Sequence, residues 1–190
     1  MAAEYPATLD VPAREQVPRD QAILHTIIAI VFYWVGAGIL GFLAYIVAPI
    51  VIAIRVGSKG GEKFIQDDGA EFARYGKLLM AIYAYVYFLT DDPPEKATES
   101  SVQVEFKPSG NPAWWSALLR PILLIPHGLV LGVLGLAFIV ILPWTAIVAL
   151  ANEQYPKQFY SFVLNYLRWQ TRVTAYLFSL TQQYPPFAWE

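Results

Sequence analysis

The sequence predicts an all-α membrane protein made of two tandem, parallel repeats. Each repeat is expected to be a membrane helical hairpin followed by an amphipathic interfacial helix. Three observations support this prediction. The 190-residue chain is 56% hydrophobic and only 15% charged, whereas globular domains carry about 25% charged residues. Residues 21–54 and 121–152 each contain a single ionisable side chain, a histidine. A shift of about 94 positions aligns the second half of the chain with the first.

The two apolar stretches are each longer than the roughly 20 residues that a helix needs to cross the hydrocarbon core. Glycines and prolines interrupt both stretches, and backbone groups in hydrocarbon need internal hydrogen bonds. We therefore expect each stretch to form two helices joined near the glycines, either as a spanning hairpin or as a re-entrant wedge. Five glycines are candidates for close helix packing: Gly36, Gly41, Gly128, Gly132 and Gly135.

Residues that match between the two halves favour an internal duplication over a chance alignment of apolar stretches. Pro49 aligns with Pro143, and Leu89-Thr90 aligns with Leu180-Thr181. Ala84-Tyr85 likewise aligns with Ala175-Tyr176. The predicted organisation is a degenerate first repeat with a polar N-terminal segment at 1–94, a linker at 95–112 and a second repeat at 113–190.

A third helix is expected in each repeat, after the hairpin. In the second repeat the polar side chains follow helical steps of three, four and seven residues: Gln158, Ser161, Asn165, Arg168, Arg172, Ser179 and Gln183. The opposite face is apolar and aromatic, which is typical of a helix that lies in the headgroup plane. The first-half counterpart covers residues 64–90.

Two short segments outside the helices have strand character. Residues 101–107 alternate apolar and polar side chains with a period of two, and residues 5–11 form a similar extended piece. These two segments are predicted to pair as a small cytoplasmic sheet.

Basic residues predict the orientation in the membrane. Lysines and arginines follow each apolar stretch, and an excess of these residues marks the cytoplasmic side. Parallel copies with cytoplasmic ends would place both chain termini and the linker in the cytoplasm. Residues 1–20 are polar and lack a signal-peptide pattern. The first apolar stretch is therefore expected to remain as an anchor.

No recognisable pattern of catalytic or metal-binding residues is present in the sequence. The chain has no cysteine and two histidines, His25 and His127. A histidine in an apolar segment is either a functional group or a residue hydrogen-bonded to a backbone carbonyl that is freed near a helix break. We favour the second interpretation for both histidines. The net charge of −2 argues against nucleic-acid binding. We predict no enzyme activity, metal or cofactor.

The best candidate site is a basic and aromatic one for a lipid headgroup. Arg120 follows a pair of tryptophans, and Arg168 and Arg172 lie one helical turn apart on either side of Trp169. Arginine pairs bind phosphate through parallel hydrogen bonds. We add His127 to this predicted site. The alternatives are side chains that extend to generic headgroups and pairing with acidic residues of the same chain.

The second half also resembles a known family. The motifs that carry the resemblance are Arg120-Pro121, Ile125-Pro126-His127, Tyr155-Pro156, Arg168-Trp169, Arg172-Val173, Ala175-Tyr176 and Tyr184-Pro185-Pro186-Phe187. In this order they resemble a bacterial domain-of-unknown-function family, number forty-three eighty-nine. In the first half, the residues Thr26, Phe32, Tyr33 and Ala81 replace the motif residues. The resemblance implies a bacterial membrane protein and no established activity.

The expected function is non-enzymatic. The first hypothesis is an accessory or scaffolding subunit of a bacterial inner-membrane complex, with membrane lipids and other membrane protein subunits as partners. The second is a carrier of a lipid or quinone that uses the basic and aromatic site. The third is a membrane-shaping protein in which the hairpins act as wedges.

Overall fold

The computed structural model describes residues 5–99 and 101–189, and the protein is mostly helical (70%). The chain termini, for which the sequence predicts a cytoplasmic location, lie outside the described residues. The helices are α1 (Arg19–Lys59), α2 (Gly61–Val86), α3 (Pro94–Ala97), α4 (Trp114–Gly135), α5 (Phe138–Asn152) and α6 (Lys157–Leu177). The strands are β1 (Ala7–Asp10) and β2 (Gln103–Phe106).

The first apolar stretch forms one continuous helix rather than the predicted pair of helices. α1 has 41 residues, and its α-helical geometry is interrupted only by π-helical segments at Phe32–Gly36 and Leu43–Val47. Gly36 itself has right-handed helical dihedrals, with φ −64° and ψ −42°. The wider π turns bend the helix while its backbone hydrogen bonds continue, so no loop is needed at the glycines.

The second apolar stretch is divided, but its direction does not reverse as the hairpin prediction requires. The helical turns of α4 are interrupted at Leu124, and α4 is joined to α5 through Leu136 and Ala137. Both joining residues keep right-handed helical dihedrals, with φ −61° and −60°. The break therefore lies next to Gly135, close to where the glycines predict it, but it produces a bend instead of a turn.

The two apolar stretches run antiparallel, side by side. At one end Val17 N donates to Glu153 O over 2.9 Å. At the other end a Cβ added to Gly57 would lie 3.8 Å from Trp114 Cβ. The first part of α1 packs along α5 and its last part along α4. We call α1, α4 and α5 together the apolar ribbon.

The helices α2 and α6 pack on each other and form the centre of the molecule. α6 is largely buried instead of lying at the headgroups as predicted, because β1 covers its polar side and α4 covers its apolar side. α2 is buried on the side that contacts α6 and β2, and its exposed side carries charged residues. The pair thus separates the apolar ribbon from the strands.

The predicted small sheet is confirmed. β1 and β2 are antiparallel, with Ala7 opposite Phe106 and Leu9 opposite Val104. These four side chains are buried against the central helices, and the alternate side chains point outward. β2 lies within the predicted linker. We call the outward residues the polar platform: Thr8, Asp10, Gln103, Glu105 and Lys107.

The chain leaves α2 and α6 in the same way. Phe88 and Ser179 both have positive φ, 63° and 57°. Phe88 N donates to Tyr85 O over 3.1 Å, and Ser179 N donates to Tyr176 O over 3.0 Å. These residues are paired by the repeat alignment, so the two halves share local geometry as well as residue type at this point.

Two described helices are long and apolar enough to cross a membrane, α1 and α4. The most apolar window of α1 is only 22% buried within the molecule, and that of α4 is 28% buried. Both helices therefore leave most of their apolar surface uncovered by the rest of the chain.

Candidate functional site

His127 and Trp169, both in the predicted headgroup site, form a direct hydrogen bond. Trp169 Nε1 donates to His127 Nδ1 over 2.9 Å. Because the indole nitrogen only donates, Nδ1 is the acceptor and the imidazole proton lies on Nε2. Phe187 stacks on the imidazole at 3.9 Å. Nε2 lies near the Pro185 carbonyl without reaching hydrogen-bonding geometry, and the histidine is fully buried.

Arg120 is buried at the C-terminal end of α6. Its Nη1 donates to Tyr176 O over 2.5 Å and to Thr181 O over 2.7 Å. The guanidinium also lies 4.4 Å from the centre of the Tyr176 ring. A cation at a helix C-terminus stabilises the carbonyl groups that have no helical partner. Arg120 therefore binds the end of α6 rather than a group outside the protein.

Arg168 and Arg172 bind other segments of the chain. Arg168 Nε donates to Leu9 O over 3.1 Å, and its Nη2 lies 2.9 Å from Asp10 Oδ1. Arg172 Nη2 donates to Ala188 O over 2.5 Å. The two arginines thus hold β1 and the C-terminal segment against α6. The contact of Arg168 with Asp10 is the alternative that the sequence left open, pairing with an acidic residue of the same chain. Arg172 instead binds a backbone carbonyl.

The five predicted headgroup residues therefore lie around α6, and four of them are buried in protein contacts. Arg168 is the exception, with 33% of its side chain exposed. It borders a cavity of about 560 Å³ beside the polar platform, which Tyr5 and Arg172 also line. Burial raises the pKa of Tyr5, against the lowering effect of Arg120 and Arg172.

The glycines predicted to pack helices make few close contacts. A Cβ added at Gly41, Gly128 or Gly132 would meet no atom within 4 Å. Gly135 faces the Tyr166 hydroxyl of α6 at 3.5 Å, an ordinary contact distance. At Gly36 the nearest side chain, Phe32, belongs to the same helix. Helix packing at these positions is therefore confined to Gly135 in the described structure.

His25 lies in a second buried polar cluster, which we call the His25 cluster (Arg14, His25 and Asp91). His25 Nδ1 lies 2.8 Å from Tyr85 O, and its Nε2 lies 3.0 Å from Asp91 Oδ1. Arg14 binds the same carboxylate through both terminal nitrogens, at 2.9 and 2.5 Å. Both imidazole nitrogens therefore lie within hydrogen-bond distance of an oxygen atom.

The His25 cluster corresponds to the Arg120 contact in the other half. His25 Nδ1 lies 2.8 Å from Tyr85 O, and Arg120 donates to Tyr176 O, so each side chain contacts the carbonyl of an aligned tyrosine near the end of α2 or α6. The alignment matches Arg120 with Thr26, so His25 is displaced by one position. Sequence reasoning expected a histidine bound to a freed carbonyl, and His25 makes this contact. The partner Asp91 was missed because it lies 66 residues away in the chain.

A charged network at the end of α1 was also missed. Arg55 Nη1 binds Glu71 Oε2 at 2.6 Å, and Lys59 Nζ binds Asp68 Oδ2 at 2.6 Å. Hydrogen bonds from Arg55 and Tyr75 lower the pKa of Glu71. The acidic residues follow helical spacing in the sequence, a signal that they share one face of α2.

An apolar cavity of about 440 Å³ lies next to this network, between α1 and α2. Aliphatic side chains of both helices line it, with Arg55 and Glu71 at its edge. Ligand sites commonly have volumes of about 300–1,000 Å³ and mainly apolar walls. The cavity has the size and chemistry to hold part of a hydrocarbon chain.

Residues 115–188 match the family model described as Domain of unknown function (DUF4389). This match confirms the resemblance found in the second half of the sequence, and it includes Arg120, His127 and the three site residues of α6. No curated protein and no solved structure matches the chain.

Proposed function

We propose that this chain, whose second half matches a domain family of unknown function, is a non-enzymatic membrane-embedded protein. It acts as an accessory or scaffolding subunit that holds its polar platform at the surface of a bacterial inner membrane. The partners are membrane lipids on the apolar ribbon and other membrane protein subunits on the platform side.

The observation that carries this proposal is the separation of two chemically different surfaces. Along the ribbon, large apolar side chains are exposed on one face, among them Ile27, Trp34, Ile50, Leu129 and Val140. The outward residues of the sheet are polar or charged. An apolar surface of this extent is costly in water, and it is typical of a protein or membrane interaction site.

A non-enzymatic role is supported by the use of the polar side chains. Both histidines are fully buried, and Arg120 and His127 bind groups of the protein itself. These contacts join distant segments of the chain and stabilise the fold. Such contacts are more typical of a structural role than of a substrate-binding site.

We further propose that the two halves are copies of one ancestral unit and that the termini are cytoplasmic. The matched exits from α2 and α6 support the duplication, as does the placement of His25 and Arg120 at corresponding carbonyls. Positive residues after the apolar stretches support the cytoplasmic assignment.

The test of the proposed function is a native purification from bacterial membranes in mild detergent. We expect the protein to resist a carbonate wash and to carry protein partners in fixed stoichiometry. A matched variant, Glu105→Lys on the platform, is expected to stay in the membrane but lose these partners. Release by carbonate, or purification without any protein partner, would contradict the scaffolding role.

A lipid carrier is the second candidate, favoured by the 440 Å³ cavity and not by the arginines. Substituting Ala48 or Leu79, which line this cavity, by Trp is expected to reduce a retained lipid. Arg168→Gln with Arg172→Gln is expected to leave retention unchanged, because both side chains bind the protein itself. Loss of lipid only in the arginine variant would favour the original headgroup site.

A further inference from the structure

The polar platform lies beside the middle of the central helices rather than beyond their ends. Phe106 of β2 packs against Gly76 in the middle of α2, where an added Cβ would lie 2.8 Å from the ring. On the other side, Arg168 in the middle of α6 binds Leu9 of β1. The ribbon covers the opposite flank of the same two helices.

This arrangement conflicts with an upright orientation in the bilayer. The ribbon and the central helices run along a common direction, since α1 and α2 are antiparallel neighbours. If that direction were the bilayer normal, the middle of the bundle would lie at the bilayer centre. Asp10, Glu105 and Lys107 would then lie at the depth of the hydrocarbon, where charged side chains are strongly disfavoured.

A side-on orientation places the exposed apolar face in the hydrocarbon and the polar platform in water. The exposed face of α1 repeats at helical spacing through Ile23, Ile27, Ile30 and Trp34, and that of α4 and α5 is similarly apolar. The histidines of the two apolar stretches are turned inward, and both are fully buried. Charged residues lie at the ends of the ribbon.

The path of α1 keeps its exposed face continuous. α1 contacts α2 at Phe32, whose ring lies 5.6 Å from that of Tyr83. It contacts α2 again where Arg55 binds Glu71. Between these contacts Ala44 is buried and Tyr45 packs against the core. α1 therefore stays beside the rest of the molecule along this stretch, with the 440 Å³ cavity between it and α2.

The middle of α1 provides a position at which the orientation can be tested. The two π-helical segments flank residues 37–42. Ile39 and Phe42 are exposed there, and an added Cβ at Gly38 meets no atom within 4 Å.

We propose that the protein lies side-on in a single leaflet, with the exposed faces of α1, α4 and α5 among the acyl chains. Neither apolar stretch crosses the bilayer, and both ends of α1 emerge on the same side as the polar platform. This inference rests on the proposed membrane embedding and specifies its geometry. The surface that it assigns fits the acyl layer of one leaflet as its partner.

The test uses the absence of cysteine from the chain. A double variant, Asp20→Cys with Ser58→Cys, places one exposed thiol at each end of α1. The full-length protein is reconstituted in phosphatidylethanolamine–phosphatidylglycerol vesicles, treated with a membrane-impermeant maleimide and weighed by intact mass spectrometry. Each molecule should carry two tags or none, whichever way it inserted. A population with one tag per molecule would mean that α1 spans the bilayer and would overturn the proposal.

Single variants separate failure of this geometry from failure of membrane embedding. Ile39→Cys in the middle of α1 should remain unlabelled until detergent is added, and Gln103→Cys on the platform should behave like the two ends of α1. If Ile39→Cys labels fully without detergent and the protein does not float with the vesicles, the embedding itself is refuted. Protected Ile39→Cys with singly tagged double variants refutes only the side-on orientation.

Discussion

The clearest energetic prediction concerns Arg120, because its contacts are buried and their partners are backbone carbonyls. Arg120→Met retains much of the apolar volume of the side chain but removes both hydrogen bonds, to Tyr176 O and Thr181 O. It also removes the contact between the guanidinium and the Tyr176 ring. The carbonyls at the end of α6 are then left buried without a cationic donor.

The expected loss follows from these contacts. Hydrogen bonds that involve a charged group contribute about 1.5–3 kcal/mol each. Part of this loss is offset because the variant no longer buries a charge. We therefore expect the free energy of unfolding to fall by about 2–4 kcal/mol. For a chain of this size, that change lowers the apparent Tm by about 5–12 °C.

The measurement is thermal unfolding in mild detergent, followed by circular dichroism at 222 nm. Arg168→Met is the matched control, since it removes an arginine of similar size from a partly exposed position. A surface ion pair contributes about 0–1 kcal/mol, and the hydrogen bond to Leu9 O is only partly buried, so this variant should lower the apparent Tm less than Arg120→Met does. Equal melting of Arg120→Met and the parent protein, or a larger loss in Arg168→Met, would refute the reasoning.

Two further predictions concern acid stability and close packing. Burial raises the pKa of Asp91, but hydrogen bonds within the His25 cluster more than offset this effect and lower the pKa below its ordinary value of 3.8. This carboxylate therefore stabilises the fold above about pH 4, and its contribution is lost as the pH falls through the lowered pKa. Asp91→Asn should reduce the fall in Tm that occurs as the pH is lowered below about 4. If Tm falls with pH as it does in the parent protein, the stabilising role of the Asp91 carboxylate is excluded. Gly61→Ala should lower the apparent Tm by several degrees, because the new Cβ would lie 2.1 Å from Pro112 O. Gly57→Ala should not lower it, because its nearest neighbour is at 3.8 Å. Equal melting of these two variants would contradict the packing argument.

The polar residues show where sequence reasoning succeeded and where it stopped. A contact with a backbone carbonyl was predicted for both histidines. His25 contacts the Tyr85 carbonyl, whereas His127 accepts a hydrogen bond from Trp169 instead. The arginines were assigned to lipid headgroups because their spacing in the sequence is also typical of phosphate binding. In the folded chain Arg168 and Arg172 contact Leu9 and Ala188. The first of these partners is distant in sequence, so no local pattern could indicate it.

The hairpin prediction differed from the structure for a related reason. Gly36, Gly41 and Pro49 are common at helix breaks, yet α1 continues through all three. Proline is tolerated early in a helical segment, and Pro49 lies at the start of the α-helical segment Ala48–Lys59. Two π-helical segments take the place of the predicted break, and the backbone keeps right-handed helical dihedrals at their ends.

The sequence by itself determined the helical class, the two apolar stretches and the strand pair, because each depends on the local pattern of apolar residues. Tertiary structure decided that the stretches lie antiparallel as a ribbon, that α6 is buried, and that the cationic side chains bind carbonyls across the fold. Those outcomes depend on which surfaces meet in three dimensions. Nothing in the sequence around His25 or Asp91 indicates that these two residues will contact each other.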